Sequence, residues 1–128
     1  MNIFGIGIDV VEVARIEAVL EKHGEPFLAK LFTAEERAYC ESQHRPALHY
    51  AARFAAKEAV SKAFGTGIGK HAGLHDLEVT RDANGAPQII LHGAAKDFAK
   101  AQGIRQVLIS LTHASAYAAA NAIALSAD

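Results

Sequence analysis

The longest helical pattern in the chain lies in its middle, at residues 46–70. Alanine recurs there every four positions, at Ala51, Ala55, Ala59 and Ala63. These alanines line one side of a helix that has about 3.6 residues per turn. Pro46 suits a first helical turn, where its missing N–H costs nothing, and Gly65 suits the position just past a helix end. We therefore predict one long helix from Pro46 to Gly65, with an apolar face thin enough for another backbone to approach.

Apolar runs and alternating patterns predict strands at both ends of the chain. Residues 3–11 form a short apolar run with β-branched residues, which predicts a buried strand. Its glycines, Gly5 and Gly7, are unusual in a strand and often mark close approach of another backbone. Residues 106–112 alternate cleanly and predict a second strand. Residues 117–125 are ambiguous, because their alanines favour a helix whereas the short turn before them favours a hairpin.

Shorter elements account for the remaining positions. Helices are predicted at 12–21, 25–31 and 94–102, and Thr33 with Glu36 forms a capping box that opens another helix. Strands are predicted at 77–80 and 87–92, joined by a turn that contains Asn-Gly, the strongest short hairpin signal. The elements together predict an α+β domain, with an antiparallel sheet and helices mainly on one side.

Composition limits the class of protein. A chain of 128 residues predicts one domain, spanning 1–128, and its net charge of −1 argues against a nucleic-acid binder. The single cysteine, Cys40, excludes a disulfide framework and fits a reducing cytosol. Neither a membrane-length apolar run nor a signal-peptide pattern is present. We therefore expect a cytoplasmic protein without membrane or nucleic-acid partners.

Polar side chains occupy the other side of the central helix: Arg53, Lys57, Glu58, Ser61 and Lys62. Glu58 and Lys62 are four residues apart, and a surface ion pair worth about 0.2–0.5 kcal/mol is the simplest interpretation of that spacing. Asp9, the single charge in the first strand, is by itself best explained as a cap for the next helix. Within residues 57–62, a carboxylate, two cations and a hydroxyl next to a glycine-rich segment also form a set able to hold a metal and a phosphate.

Two other interpretations of the glycine-rich segment fail. A dinucleotide-binding loop follows a strand, whereas residues 65–70 follow a helix, and a Walker loop needs Ser or Thr where His71 follows Lys70. His71, His75 and Asp76 have a spacing that could serve zinc, but a single cysteine and many glycines favour a mobile loop.

Four stretches of the chain, in order, carry a family resemblance. They read GIGIDVVEVARIE at 5–17, LFTAEERAYC at 31–40, FAAKEAVSKAFGTGIG at 54–69 and ISLTHASAYAAA at 109–120. Together they resemble the holo-acyl-carrier-protein synthases, the small class of 4′-phosphopantetheinyl transferases. The resemblance covers essentially the whole chain, and it favours a strand over a helix at 117–125.

The resemblance implies an activity and a metal site. Coenzyme A would donate 4′-phosphopantetheine to a serine of apo acyl carrier protein and release adenosine 3′,5′-bisphosphate, in support of fatty acid biosynthesis. Asp9 and Glu58 would hold Mg²⁺, a cation that favours one or two carboxylates with water and phosphate oxygens. Lys62 would neutralise charge on the pyrophosphate. Either Glu58 or a water on the metal would take the serine proton, and the sequence does not choose between these bases or between Mg²⁺ and Mn²⁺.

The resemblance also implies contacts to the two substrates and an assembly. Residues along the coenzyme A cleft would be Arg53, Ser61, Lys62, Gly65, Asn84, Pro87 and His113. Among these, His113 would approach the 3′-phosphate, and the hairpin residues would border the adenine. Arg15 would contact the acidic carrier protein, although plain solvation also explains it. A single small domain supplies half a cleft, so the resemblance implies a homotrimer with sites between subunits.

Two alternatives remain at this point. One is a Mg²⁺-dependent hydrolase that uses the same carboxylates with water as acceptor, and it would release adenosine 3′,5′-bisphosphate without a carrier. The other is a non-catalytic module that binds coenzyme A or a carrier protein. The joint presence of Asp9, Glu58 and Lys62 argues against that module, because a passive binder has no need of a metal pair.

Overall fold

A computed structural model describes all residues from 1 to 128. The chain starts with a long strand, continues through four helices, and ends in a β-rich half. The elements in chain order are β1 (Asn2–Glu12), α1 (Val13–His23), α2 (Glu25–Leu31), α3 (Ala34–Glu41), α4 (Pro46–Phe64), β2 (Leu77–Arg81), β3 (Pro87–Leu91), α5 (Gly93–Ala101), β4 (Ile104–His113) and β5 (Tyr117–Ser126), with one 3₁₀ turn at Leu74–Asp76.

The strands form two antiparallel sheets. One has three strands in the order β1-β5-β4, and the other is the β2–β3 hairpin. The first and last strands of the chain therefore pair along almost their whole length. Helix α4 packs across one face of the three-stranded sheet, which gives the predicted α+β fold with helices on one side. Residues 117–126 are a strand, as the resemblance implied.

Helix α4 is the centre of the core. It begins at Pro46 and ends where Gly65 adopts a left-handed conformation and donates its N–H to the Lys62 and Ser61 carbonyls. From Tyr50 to Phe64 every side chain is buried except three that are spaced four residues apart: Phe54, Glu58 and Lys62. A helix that is enclosed almost all round belongs to a core, so this single accessible stripe is where the helix meets solvent. No helix combines the length and hydrophobicity needed to cross a membrane.

Two glycines let β1 lie directly on the backbone of α4. A Cβ atom at Gly5 would lie 2.0 Å from the Ala63 carbonyl oxygen, and one at Gly7 would lie 1.9 Å from the Ala59 oxygen. Any side chain at these positions would collide with main-chain atoms. The predicted close approach is therefore present, and it occurs between the glycines of the strand and the alanine face of the helix.

The prediction that residues 3–11 form a buried strand is wrong in one respect. Alternate residues point away from α4, and the side chains of Ile6, Ile8 and Val10 are 69%, 66% and 60% exposed. The reason is geometric: only one face of the three-stranded sheet is covered by a helix, and successive strand residues point to opposite faces. Leu108 on β4 and Tyr117 on β5 add to the same outer face.

The sequence also misplaced the polar residues of α4. Lys57 and Ser61 are fully buried and Arg53 is 4% exposed, so these side chains do not form a solvated face. Lys57 Nζ donates to Glu36 Oε1 at 2.8 Å, to the Leu74 carbonyl at 2.8 Å and to the Leu77 carbonyl at 2.7 Å. Three donors thus meet three acceptors, which is what a buried ammonium group requires.

The acidic partner in this buried ion pair is the capping-box residue of α3. Glu36 accepts from the Thr33 N–H, and the Thr33 hydroxyl accepts from the Glu36 N–H, as the sequence predicted. Its second oxygen accepts from the Val79 N–H at 2.8 Å. Glu36 therefore links α3, α4 and the β2–β3 hairpin in one network.

We expect Gly7→Ala to destabilise the fold by at least about 2 kcal/mol, because the new methyl group overpacks a contact between main-chain atoms. Urea unfolding followed by circular dichroism measures the change. Gly73→Ala is the matched control: its Cβ would have no neighbour nearer than 3.9 Å, and its φ of −74° suits alanine. Equal midpoints for the two variants would contradict the proposed packing.

Candidate active site

Asp9 reaches the site because of the register of β1. It is two residues beyond Gly7, on the face that points toward α4, opposite Ala120 of β5. Lys62 Nζ donates to Asp9 Oδ1 at 3.1 Å and to the Ile8 carbonyl at 3.0 Å. The Asp9 side chain is 18% exposed and that of Lys62 49% exposed. The strand and the helix thus bring together two of the predicted residues in one chain.

Glu58 lies one turn before Lys62 on the accessible stripe of α4. Partial burial, followed by the negative charge of Asp9, raises the pKa of Glu58, and the positive charge of Lys62 opposes the rise. The two carboxylates are therefore near enough to repel each other. Lys62 forms its ion pair with Asp9 and none with Glu58. The prediction of a surface ion pair between Glu58 and Lys62 is therefore wrong, because the Lys62 ammonium group points toward β1.

The pair of carboxylates fits a hard divalent cation. The chain gathers no group of three or more His, Cys, Asp or Glu side chains that could hold a metal ion. A metal at Asp9 and Glu58 would therefore take most of its ligands from water and substrate. Mg²⁺ is bound in this way, usually through one or two carboxylates and phosphate oxygens. Burial contributes most to the raised pKa of Glu58 and the charge of Asp9 contributes next; a bound cation would relieve the repulsion between the two acids.

A second concave site opens between α3, α4 and the β2–β3 hairpin. Its cavity is about 210 Å³, and we call it the cationic pocket. The lining residues are Tyr39, His49, Ala52, Arg53, Arg81, Gly85, Pro87, Leu111 and His113. They include two arginines and two histidines and no carboxylate. Three of the residues implied for coenzyme A, namely Arg53, Pro87 and His113, meet here.

Arg53 in this pocket has an unusual environment. Its side chain is buried, and its Nε has no hydrogen-bond partner. Burial lowers the pKa of the guanidinium, and no carboxylate pairs with it. A buried guanidinium without a hydrogen-bond acceptor costs free energy. An anion bound in the pocket would provide the missing acceptor.

The histidines of the pocket are close to each other. The rings of His49 and His113 are 5.4 Å apart between centroids, in an edge-on arrangement. Burial, and then the charges of Arg53 and His113, lower the pKa of His49. His49 is therefore neutral near pH 7, and the fixed positive charge of the pocket comes from its arginines.

The other residues implied by the resemblance lie elsewhere. Ser61 is buried, and its hydroxyl donates to the Glu58 carbonyl at 2.7 Å within the helix. Gly65 is the exposed cap of α4, with open space around its Cα. Asn84 lies in the hairpin turn, where its N–H donates to Asp82. Arg15 is exposed on α1. None of these four lines the cationic pocket.

Sequence reasoning missed three aromatic or charged side chains of the pocket: Tyr39, His49 and Arg81. They come from three separate elements, α3, α4 and β2, and no spacing relates them. Tyr39 lay within the LFTAEERAYC stretch, yet nothing in that stretch indicates that its ring meets Arg53 across the fold. His71, considered for zinc, packs its ring 5.2 Å from that of Phe98.

Comparisons with known proteins agree with the fold. The model of the 4′-phosphopantetheinyl transferase superfamily matches residues 5–121. A holo-[acyl-carrier-protein] synthase of Moorella thermoacetica is 46% identical over 117 residues, 91% of this chain and 90% of that protein.

Two solved structures show the likeness in three dimensions. The holo-[acyl-carrier-protein] synthase of Neisseria meningitidis has a TM-score of 0.91 and 33% identity, over 97% of this chain and 99% of that one. The synthase of Bacillus anthracis, solved in complex with CoA (3′,5′-ADP), has a TM-score of 0.81 and 37% identity, over 98% of both chains. The fold is thus that of an α+β transferase. The chain belongs to the 4′-phosphopantetheinyl transferase superfamily.

We expect Glu58→Gln to raise the melting temperature of the metal-free protein at pH 7.5. The pKa of Glu58 is raised in the folded state, so its ionisation costs stability as pH increases through that pKa. The gain from the substitution should shrink as the pH falls and Glu58 becomes protonated. Scanning fluorimetry from pH 4 to pH 8 measures the difference in melting temperature between the variant and the wild type.

The same thermal experiment tests the cation. Added Mg²⁺ should raise the melting temperature of the wild type and leave that of Glu58→Gln almost unchanged. Glu17→Gln, on the exposed surface of α1, is the matched control and should respond like the wild type. An equal response in all three proteins would refute the role of Glu58 in metal binding.

Proposed function

We propose that this protein transfers 4′-phosphopantetheine from coenzyme A to a serine of apo acyl carrier protein. The products are holo carrier protein, ready for fatty acid biosynthesis, and adenosine 3′,5′-bisphosphate. The observation that carries the proposal is the convergence of Asp9, Glu58 and Lys62, from β1 and α4, on one accessible edge of the fold. The names of the relatives point to the same reaction.

Asp9 and Glu58 would hold Mg²⁺. When bound, this cation supplies neutralisation of the charge on the pyrophosphate of coenzyme A. Residues of the chain itself bind and orient the donor. Two protons of the Lys62 ammonium are directed at the Ile8 carbonyl and at Asp9. An ammonium group has three donors, so one remains for a phosphate oxygen of the donor.

The reaction forms a bond between the serine oxygen and the phosphorus on the pantetheine side. The bond from that phosphorus to the bridging oxygen breaks, and adenosine 3′,5′-bisphosphate leaves with the electron pair. The serine proton needs an acceptor. Among residues of the chain, Glu58 is the candidate, because it lies one turn from Lys62 and near Asp9 on the same accessible edge. Lys62 stabilises the charge that develops on the phosphate oxygens.

The cationic pocket would bind the far end of the donor. Coenzyme A carries a phosphate on its ribose, and Arg53 and His113 are candidate partners for it. The relative from Bacillus anthracis, solved with CoA (3′,5′-ADP), supports a site for such a ligand. Pro87 and the neighbouring Asn84 would border the adenine from the hairpin, while Ser61 and Gly65 belong to the same proposed cleft.

The outer face of the three-stranded sheet supports a homotrimer with the active sites between subunits. Ile6, Ile8, Val10, Leu108 and Tyr117 expose apolar surface there. A contiguous apolar face of this kind marks an interaction surface, and homo-oligomers close by symmetry. We also propose that the chain forms a single domain, that the protein is cytoplasmic and that it assembles as a trimer.

The acidic carrier protein would approach the side of α1. Arg15 is exposed there, and Lys22 and His23 lie in the last turn of the same helix. Opposite charges raise the rate of encounter and lose effect as salt increases. Transfer should therefore slow at high ionic strength.

Mass spectrometry of apo carrier protein, after incubation with coenzyme A and Mg²⁺, tests the activity. The wild type should add one phosphopantetheine to serine, while Asp9→Asn and Glu58→Gln should lose at least about a hundredfold in rate. Release of adenosine 3′,5′-bisphosphate without carrier protein would instead indicate a hydrolase. Near-normal turnover by Glu58→Gln would overturn the assignment of the metal pair.

Light scattering tests the assembly. The wild type should have the mass of a trimer, and Ile8→Asp should dissociate it, because a buried charge in an apolar interface is strongly unfavourable. Ile90→Asp is the matched control, since Ile90 is also exposed but lies on the hairpin and outside the three-stranded sheet. A monomeric wild type, or equal masses for both variants, would contradict the proposed interface.

A further inference from the structure

We propose that Tyr39 is a positioning residue that holds two guanidinium groups, those of Arg53 and Arg81, around one phosphate in the cationic pocket. The phosphate is the one on the ribose of the donor, so this inference rests on the proposed function. It adds Arg81 to the candidate phosphate ligands. It also assigns Tyr39 a role in donor specificity, in which Tyr39 acts through the two arginines and does not contact the ligand.

The guanidinium groups of both arginines contact the ring of Tyr39. The guanidinium carbon of Arg53 is 4.2 Å from the ring centroid, and that of Arg81 is 4.9 Å from it. Both distances are within the range of a cation–π contact. One aromatic ring therefore contacts two cationic side chains, and no carboxylate lines the pocket to compensate their charge.

The hydroxyl of Tyr39 fixes the orientation of Arg81. Arg81 Nη1 donates to the Tyr39 hydroxyl, and Arg81 Nε donates to the Gly85 carbonyl at 3.2 Å. Its other terminal nitrogen, Nη2, lies against the turn, 3.0 Å from the position of a Cβ at Gly85. Tyr39 and Arg81 thus tie the β2–β3 hairpin to α3 and keep one edge of the pocket in place.

Arg53 supplies the observation that points to a ligand. It lines the pocket, is 4% exposed and has an Nε without any partner. Two guanidinium groups that contact one ring, in a pocket lined by no carboxylate, favour the binding of an anion. A phosphate dianion matches two guanidiniums, because their N–H groups bind its oxygens in pairs.

Steady-state kinetics with two donors test the proposal. Coenzyme A carries the ribose phosphate, and 3′-dephospho-coenzyme A lacks it. Tyr39→Leu should raise KM for coenzyme A by about tenfold, which is the scale of one charged hydrogen bond lost. KM for 3′-dephospho-coenzyme A, and kcat for both donors, should stay within about twofold, because Tyr39 touches neither the reacting atoms nor the pyrophosphate.

A more conservative variant separates the contribution of the Tyr39 ring from that of its hydroxyl. Tyr39→Phe keeps the contact with Arg53 and loses the acceptor for Arg81. It should therefore raise KM for coenzyme A by about threefold, less than Tyr39→Leu and less than Arg81→Met, which removes a proposed phosphate ligand. The double variant Tyr39→Phe/Arg81→Met should be no worse than Arg81→Met alone, since the hydroxyl acts through Arg81. Arg37→Met, on the same helix as Tyr39 but paired with Glu25, is the control and should change neither KM.

A binding measurement makes the two hypotheses distinguishable. Calorimetry should show that the wild type binds adenosine 3′,5′-bisphosphate more tightly than 5′-AMP, and that Tyr39→Leu loses this preference. Equal affinities in the wild type, or equal KM increases for both donors, would overturn the role of Tyr39 and leave the transferase intact. Absence of any transfer by the wild type would overturn the proposed function, while calorimetry would still decide the role of the pocket.

Discussion

The contact between the β1 glycines and the α4 alanines determines the geometry of the rest of the molecule. Gly5 and Gly7 place the strand against the carbonyl groups of Ala63 and Ala59, at a separation that no side chain would allow. Two residues further along the strand, Asp9 reaches the ammonium group of Lys62. Asp9 and the α4 residues Glu58 and Lys62 are therefore brought together by main-chain packing.

The three cations of α4 differ in how many of their donors are paired within the protein, and this difference separates a structural role from a functional one. Lys57 directs all three donors at acceptors of the protein, and it has a structural role. Lys62 uses two of three, and Arg53 has no hydrogen bond from its buried Nε. Buried polar groups are almost always satisfied, so the unpaired Nε of buried Arg53 favours an anionic ligand there, while half-exposed Lys62 keeps one donor available. About nine residues of helix, with a rise of about 1.5 Å each, separate them.

The sequence predicted the parts of this account that depend on local pattern. The bounds of α2 agree, and α4 ends at Gly65 as the alanine repeat and the glycine indicated. The capping box at Thr33 and Glu36 is present. The glycines of β1 were recognised as a place of close approach, although the helix that approaches was not identified. The resemblance supplied Asp9 and Glu58 as partners, which spacing alone left as a cap and a surface ion pair.

What the sequence did not predict depends on contacts between distant elements. Lys57 was placed on a solvated face because its acceptors, Glu36 and two loop carbonyls, lie far from it in sequence. The apolar outer face of β1 was assigned to the core, because an apolar run does not show which of its two faces a helix covers. Tyr39 and Arg81 have no common pattern with Arg53, and only the folded chain stacks them on each other.

The most direct measurement is a crystal structure of the protein with coenzyme A and Mn²⁺, in which anomalous scattering locates the ion as a substitute for Mg²⁺. The proposed site predicts one peak at roughly 2.1 Å from a carboxylate oxygen of Asp9 and from one of Glu58, with the remaining ligands from water and the pyrophosphate. A peak that contacts neither acid, with Asp9 still paired to Lys62 alone, would contradict the central claim.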